Sequence, residues 1–319
     1  MPLPTDEKAL ALGKNVLQAF DNVFGGPYPG YRAAHAKGAL LTGTFVPAPE
    51  AASLTRAPHI TRSSTPVSVR FSDSAGVPVV PDNDPQGGGP RGFAVRFHLA
   101  EHVHTDIVSH SSNGFPARTA EELAEFLHAI AATTPDAPHP NPVEVFVSTH
   151  PATLAYVQMP KPFPTSLAKE HFFAVTAFKF TNADGAVRYG RYRILPELGT
   201  EYLSDEAAAA KGPNYLFDEL AERIAASPIK FQIVIQLAEE GDIVDDATIQ
   251  WPEDRKLLNF GEITLDALAP NNEAEQRQII FDPIPRVDGI ETSGDPLMEP
   301  RATVYLLSGR RRRAGGQGG

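Results

Sequence analysis

The chain returns again and again to a rhythm of two. Val67, Val69 and Phe71 alternate with polar or small neighbours, Phe93, Val95 and Phe97 do the same, and Phe231 to Leu237 repeats the pattern. Successive side chains of an extended strand point to opposite faces, so each run predicts a strand with one buried face. Two further runs, Phe172 to Phe180 and Val187 to Ile194, flank Asn182-Ala183-Asp184-Gly185, a sequence suited to a hairpin turn. A set of such strands is best satisfied by an antiparallel sheet closed on itself, because closure leaves no unpaired edge.

Helical spacing appears around these strands. Residues 6–24 place Leu10, Val16, Leu17, Phe20 and Phe24 on one face and end at Gly25-Gly26-Pro27. Thr119 to Ala131 reads as a helix with Thr119 as its cap and Glu122 at the capping-box position, and Phe217 to Ala226 reads as another. Between the strands, Pro81 to Pro90 is a Gly- and Pro-rich loop. No repeat or linker divides the 319 residues, so the expectation is a single α+β domain over 1–319, a closed antiparallel β-barrel with surrounding helices.

Charge and composition narrow the function. A net charge of -11 argues against nucleic-acid binding, which needs clustered Lys and Arg; the one basic run, Arg310 to Arg313, is local. No stretch approaches the roughly 20 apolar residues of a membrane span. Met1 to Lys8 lacks a basic region followed by an apolar one, so a soluble, cytoplasmic protein is expected. The absence of cysteine excludes disulfides, thiol peroxidase chemistry and thiolate-held iron.

The most chemically pointed element is Arg301-x-x-x-Tyr305. Pro300 to Leu307 reads as a helix start, with proline where its missing N–H costs nothing, and a four-residue spacing puts Arg301 and Tyr305 on one face. A guanidinium one turn away favours an adjacent phenolate by charge. A tyrosine phenolate is one of the recognised axial ligands of haem iron.

Blocks along the chain then resemble the catalase superfamily, most closely its small members, the catalase-related peroxidases. They are His35-Ala36-Lys37-Gly38, Thr65 to Ser72, Pro90 to Phe97, Trp251-Pro252, Phe281-Asp282-Pro283 and Arg301 to Tyr305. Their order is the family's, over roughly residues 20 to 313. The resemblance implies a catalase-like haem barrel carrying haem b. By position it implies that His35 is the distal catalytic histidine, that Ser72 orients its ring, and that Tyr305 is the proximal iron ligand with Arg301 as its support. Arg32, Arg70 and Arg312 match arginines that bind haem propionates, a suitable pairing of guanidinium with carboxylate.

The chain departs from that pattern in three ways. The family's distal asparagine falls on His110 when counted without gaps, although Asn113 takes the role if the loop is shifted. The channel aspartate ahead of Pro-Arg-Gly-Phe is replaced by Gly89. The long threaded arm and carboxy-terminal extension of large catalases have no counterpart. The implied activity is therefore a haem peroxidase that reduces hydrogen peroxide or organic hydroperoxides with a small organic electron donor, with weak catalase activity admitted. The expected state is a monomer or small homo-oligomer.

Other readings compete with this one. A related hydroperoxide isomerase or dehydratase of the allene oxide synthase type would carry threonine beside the distal histidine, where Ala34 stands. A non-catalytic haem carrier would need Tyr305 but not His35. His98, His102, His104 and His110 invite a cupin-like metal site, but no acidic ligand follows at a suitable spacing. Gly87-Gly88-Gly89 lacks the Gly-Lys-Ser/Thr of a phosphate loop.

Overall fold

The computed structural model describes residues 3–315. The ends of the expected 1–319 domain, including Met1 and Pro2 of the amino-terminal stretch, lie outside the described residues. Four consecutive antiparallel strands form one wall: β1 (Gly38–Pro47), β2 (Thr65–Ser72), β3 (Gly92–Ala100) and β4 (Val103–His110). Strands Phe172–Phe173, Val187–Pro196, Ile229–Leu237 and Leu257–Leu268 continue the sheet, and pairing of the last with β1 closes an eight-stranded antiparallel barrel.

Register explains why the barrel closes with these residues inside. Leu41 lies opposite Val69, Val69 opposite Val95, and Val95 opposite Ile107. On the far side Ile194 faces Ile233, Phe231 faces Ile263, and Ile263 faces Phe45. These side chains form the main core together with Phe71, Phe93 and Phe97. Each fully buried aliphatic or aromatic side chain contributes about 1.5–3 kcal/mol, and a slip of one residue would turn the whole set outward. The same alternation sends Arg70, Ser72, Gly92, Val108 and His110 to the outer face, where they line a cavity.

A helical layer covers that outer face. The amino-terminal helix Glu7–Phe24 starts at Asp6, whose carboxylate accepts the Lys8 N–H, and stops at Gly25 in the left-handed conformation, with φ 66°. It packs on helix Ala120–Ala132 and on the carboxy-terminal helix Met298–Gly315, burying Val16, Leu17, Leu123, Leu127 and Val304 in a second cluster. Thr119 caps the Ala120–Ala132 helix as expected. Glu122 accepts from the N–H of Arg118 at 2.8 Å, one residue outside a true capping box.

Two local expectations need correction. The carboxy-terminal helix begins at Met298, two residues before Pro300. Arg301 is the first residue whose N–H reaches back a full turn, to Leu297, so Pro300 still sits in the first turn, where no intrahelical donor is lost. Phe172 to Phe180 is two strands, Phe172–Phe173 and Phe178–Thr181, with an irregular segment between. That segment turns Val175 into the cavity and Thr176 towards Arg301. The hairpin beyond it is made as the sequence suggests, with the Asn182 side chain accepting from the N–H groups of Asp184 and Ala186. Among the described residues, no helix is long and apolar enough to cross a membrane.

Candidate active site

Between the outer face of β2 to β4 and the helical layer lies a cavity of about 730 Å³, mostly apolar in its lining. That size suits a bound cofactor or ligand of several rings. Three polar groupings break the apolar wall: His35 with Ser72 and His110, Arg301 with Tyr305, and Arg32 with Arg70 and Arg312.

The segment His35-Ala36-Lys37-Gly38 is short because each residue has a separate task. The N–H groups of His35 and Ala36 bond the carbonyls of Ser74 and Ala75, both at 2.9 Å, fixing the approach to β1. The Lys37 ammonium holds the Asp82 carboxylate at 2.5 Å and the carbonyls of Val80 and Pro213. Gly38 leaves room for the Arg70 guanidinium, which a Cβ would meet at 2.5 Å. His35 itself has φ 56°, a left-handed conformation that costs a non-glycine residue of order 1–3 kcal/mol and that gathers at functional sites.

His35 Nδ1 lies 3.0 Å from Ser72 Oγ. Gly92 makes this pairing feasible, since a Cβ there would collide with Ser72 Oγ and come within 2.9 Å of His35 Nδ1. Burial, then the Arg70 charge and more weakly that of Arg32, push the His35 imidazole down to about 4, with only a backbone hydrogen bond at Asp73 opposing them. The ring is therefore neutral near pH 7 and able to take a proton.

On the carboxy-terminal helix, Arg301 Nη2 lies 3.3 Å from Tyr305 Oη. Thr176 Oγ1 accepts from Arg301 Nη1 at 3.2 Å, tying the helix to the irregular segment before strand Phe178–Thr181. Burial opposes the Arg301 charge, but Tyr305 and Asp295 more than offset it, so the guanidinium is held charged beside the phenol. The pair shares one helix face at the four-residue spacing.

The third grouping is electrostatically unusual. Arg32 donates to the carbonyl of Ile279, Arg312 to those of Arg277 and Ile279, and Arg70 to Gln276 Oε1 and the carbonyl of Ala36. All of these acceptors are neutral. Burial first, and then their mutual repulsion, lower Arg32 well below its ordinary value and bring Arg70 down to about 9, the Asp73 charge offsetting only part of the shift of Arg70. Arg312 falls to about 10 through burial and the nearby Arg313. Buried charges normally find a counterion, and an isolated one is expensive. Two buried and one half-buried on the wall of an apolar cavity, they fit a ligand that is apolar in its body and carries carboxylates.

The two candidates for the remaining distal position are separated. His110 ends β4 opposite Gly92 and lines the cavity. Asn113 is not brought to it: its side chain donates to Glu253 at 3.2 Å and its carbonyl accepts from Gln250. Reciprocal bonds between Arg91 and Ser111 carry the β3–β4 pairing one residue past His110, and Asn113 lies beyond it. Gly89 lies on the cavity wall beside Lys161, with a Cβ position 3.5 Å from the lysine stem. His98 bonds Ser68, and no group of three or more His, Asp or Glu side chains among the described residues gathers as a metal site.

Three contributors escaped the sequence reading. Gly92 stood inside a quoted block, and a glycine within a strand is a signal of close approach that could have singled it out. Thr176 and Gln276 carry no such signal, since each acts through contacts 125 and 206 residues away along the chain.

The sequence profile of the catalase family matches residues 29–317. The catalase-related peroxidase of Synechococcus elongatus is 34% identical over 304 residues, covering 94% of this chain and 88% of that protein. The catalase-related peroxidase of Mycolicibacterium paratuberculosis is 33% identical over 296 residues, covering 91% and 92%. In fold, a bacterial catalase superposes with a TM-score of 0.77 at 24% identity, and catalase A from Saccharomyces cerevisiae with 0.76 at 23%. Each match covers 88% of this chain, which spans 57% and 61% of those longer catalases. The barrel, the cavity outside it and the sequence match over nearly its whole length lead to one conclusion: the chain belongs to the catalase family.

Proposed function

We propose that the protein is a haem b-dependent peroxidase that reduces hydrogen peroxide or an organic hydroperoxide at the expense of a small organic donor. The observation that carries this reading is the set of three guanidinium groups, two buried and one half-buried, that have no carboxylate partner among the described residues and line the same cavity as His35 and Tyr305. Arg32, Arg70 and Arg312 would hold the two propionates, and Tyr305 Oη, supported by Arg301, would hold the iron. Haem supplies, when bound, the redox capacity for two-electron reduction of the O–O bond.

The chain's own residues handle protons and access. Overall, ROOH and a donor AH2 give ROH, water and A, with two protons and two electrons passing from donor to peroxide. When His35 donates its Nδ1–H to Ser72, Nε2 is left with a lone pair that can take the proton of the peroxide hydroxyl and return it to the departing oxygen. The neutral state of the ring at pH 7 permits the first of these steps. Apolar walls from Val16, Phe20, Leu123 and Val304 keep bulk water away from the transfer.

Gly89 favours donor oxidation over dismutation, because the channel wall there carries no carboxylate to guide a second hydrogen peroxide. The test is one haem-quantified sample assayed two ways, for oxygen release from hydrogen peroxide and for donor oxidation with an organic hydroperoxide. Donor oxidation should dominate. Rapid oxygen release with negligible donor oxidation would refute the reading.

A further inference from the structure

The wall of the cavity that holds His35 and Tyr305 carries no aspartate or glutamate. Five of its side chains are Arg or Lys, in a protein whose net charge is -11. Arg32, Arg70 and Arg312 would hold propionates and Arg301 supports Tyr305, which leaves Lys161 without a task. Its ammonium donates to the carbonyls of Tyr156, Val157 and Met159 at 3.2, 3.4 and 3.3 Å, where helix Pro151–Gln158 ends. It also lies 5.0 Å from the centre of the Tyr156 ring. These partners are neutral, and the carbonyl end of a helix favours a cation, so the ammonium is ordered without being neutralised. Burial lowers Lys161 from its ordinary value; no carboxylate offsets the shift and no arginine adds to it, so Lys161 stands apart from the other cations of the wall. Val157, whose carbonyl it meets, is 44% exposed, so this part of the wall reaches solvent. The Tyr156 hydroxyl has no hydrogen-bond partner among the described residues, and burial alone pushes it up to about 12, so it remains an O–H donor.

Resting on the peroxidase reading, we propose that Lys161 and the Tyr156 hydroxyl form a carboxylate-binding subsite where the cavity meets solvent, so that one of the two reactants, the hydroperoxide or the donor, is an anion with an apolar body. A carboxylate there would gain a charge-assisted bond from an ammonium that is already ordered, and a second bond from a neutral hydroxyl. A neutral molecule of the same shape would gain only the apolar contacts of the wall. The rest of the surface, net negative, repels anions, so a wall free of carboxylates is where an anionic reactant is drawn in. Gly89 keeps the subsite open. A Cβ there would lie 3.5 Å from Lys161 Cβ, an ordinary contact, so a side-chain carboxylate at position 89 could be built beside the lysine and would neutralise it.

The test uses haem-loaded protein and matched pairs that differ by one carboxylate. In one arm the hydroperoxide varies, cumene hydroperoxide against its para-carboxylate, with a neutral donor held fixed. In the other the donor varies, ferulate against methyl ferulate, with cumene hydroperoxide held fixed. Wild type should favour the carboxylate in kcat/KM, chiefly through KM, and the arm that shows the preference identifies the reactant the subsite takes. Lys161→Met should lower the ratio of carboxylate to neutral kcat/KM by about 10-fold, the worth of one hydrogen bond to a charged group. Gly89→Asp should lower it similarly, and Lys161→Arg should keep most of it. A lysine that only closes the helix would move both members of a pair alike, and a ratio unchanged by Lys161→Met in both arms would overturn the proposal. Calorimetric titration with 4-isopropylbenzoate, which has no O–O bond to turn over, reads the subsite apart from catalysis. Binding about 10-fold weaker in Lys161→Met supports the proposal, and equal binding overturns it. Wild type that binds the benzoate through Lys161 but turns over no hydroperoxide would overturn the peroxidase reading and leave the carboxylate site standing.

Discussion

Replacing Arg70 by methionine should make the ligand-free protein more stable and its haem binding weaker. Arg70 is almost fully buried, only 4% exposed, and its drop from 12.5 to about 9 arises from burial first and then from Arg312. At about 1.4 kcal/mol for each tenfold, that drop corresponds to about 5 kcal/mol held against the charged form, an order-of-magnitude figure. Methionine would fill a similar volume without charge, while the Gln276 and Ala36 acceptors would lose a donor, at about 1 kcal/mol each or somewhat more. The net expectation is a gain of about 1–4 kcal/mol, in line with other buried charges exchanged for apolar groups. Bound haem should reverse the sign, because one buried carboxylate of the ligand would then lose its partner, at about 2–5 kcal/mol. Urea unfolding of the ligand-free and haem-loaded forms of both proteins measures the two effects. A destabilised ligand-free variant with unchanged haem affinity would refute the argument that Arg70 awaits an anion.

Three further outcomes follow from contacts elsewhere. Gly92→Ala should leave the fold and haem content intact but lower peroxidase turnover by about 100-fold, because the new Cβ displaces His35 from Ser72; steady-state kinetics on a haem-quantified sample checks it. Thr176→Val removes the hydroxyl that accepts from Arg301 and should weaken haem retention by about 10-fold or more, measured by transfer of haem to an excess of apomyoglobin. His59 is 1% exposed among Phe45, Phe97 and Phe260, and burial, with a smaller effect of Arg62, pushes it down to about 3. The unfolded chain takes up that proton near 6.5 and the folded one does not, so this contribution is fully present above about pH 6.5 and is lost as pH falls towards 3. His59→Leu should therefore flatten the fall of stability between those limits by about 1.4 kcal/mol per pH unit, and an unchanged slope would show that His59 is not held neutral.

Much of the fold could be read in the sequence because burial on one face of a strand leaves a period-two record. Val67, Val69 and Phe71 face the core, while Ser68 and Arg70 between them face outward, Arg70 onto the cavity. The Phe172 to Phe180 run kept its apolar record across a break, since Val175 is buried against another cluster even though the chain there is not a strand. Periodicity reports burial, not hydrogen bonding, and so could not show that interruption. Which of His110 and Asn113 lines the cavity depends on where the chain leaves β4, and the bonds between Arg91 and Ser111 that fix this leave no local pattern. Tyr305 and Arg301 were legible because their contact is one helical turn long. The Arg32, Arg70 and Arg312 grouping drew together residues from both ends of the chain and was approached through resemblance alone.

The most direct test of the account is the visible spectrum of haem-loaded protein in wild type, Tyr305→Phe and His35→Ala, because it reads the iron ligand rather than the reaction. Wild type and His35→Ala should show the same high-spin ferric, tyrosinate-ligated spectrum. Tyr305→Phe should lose that spectrum while keeping its circular dichroism and its closed barrel. A Tyr305→Phe spectrum indistinguishable from wild type would contradict the assignment of Tyr305 as the ligand, and with it the central claim.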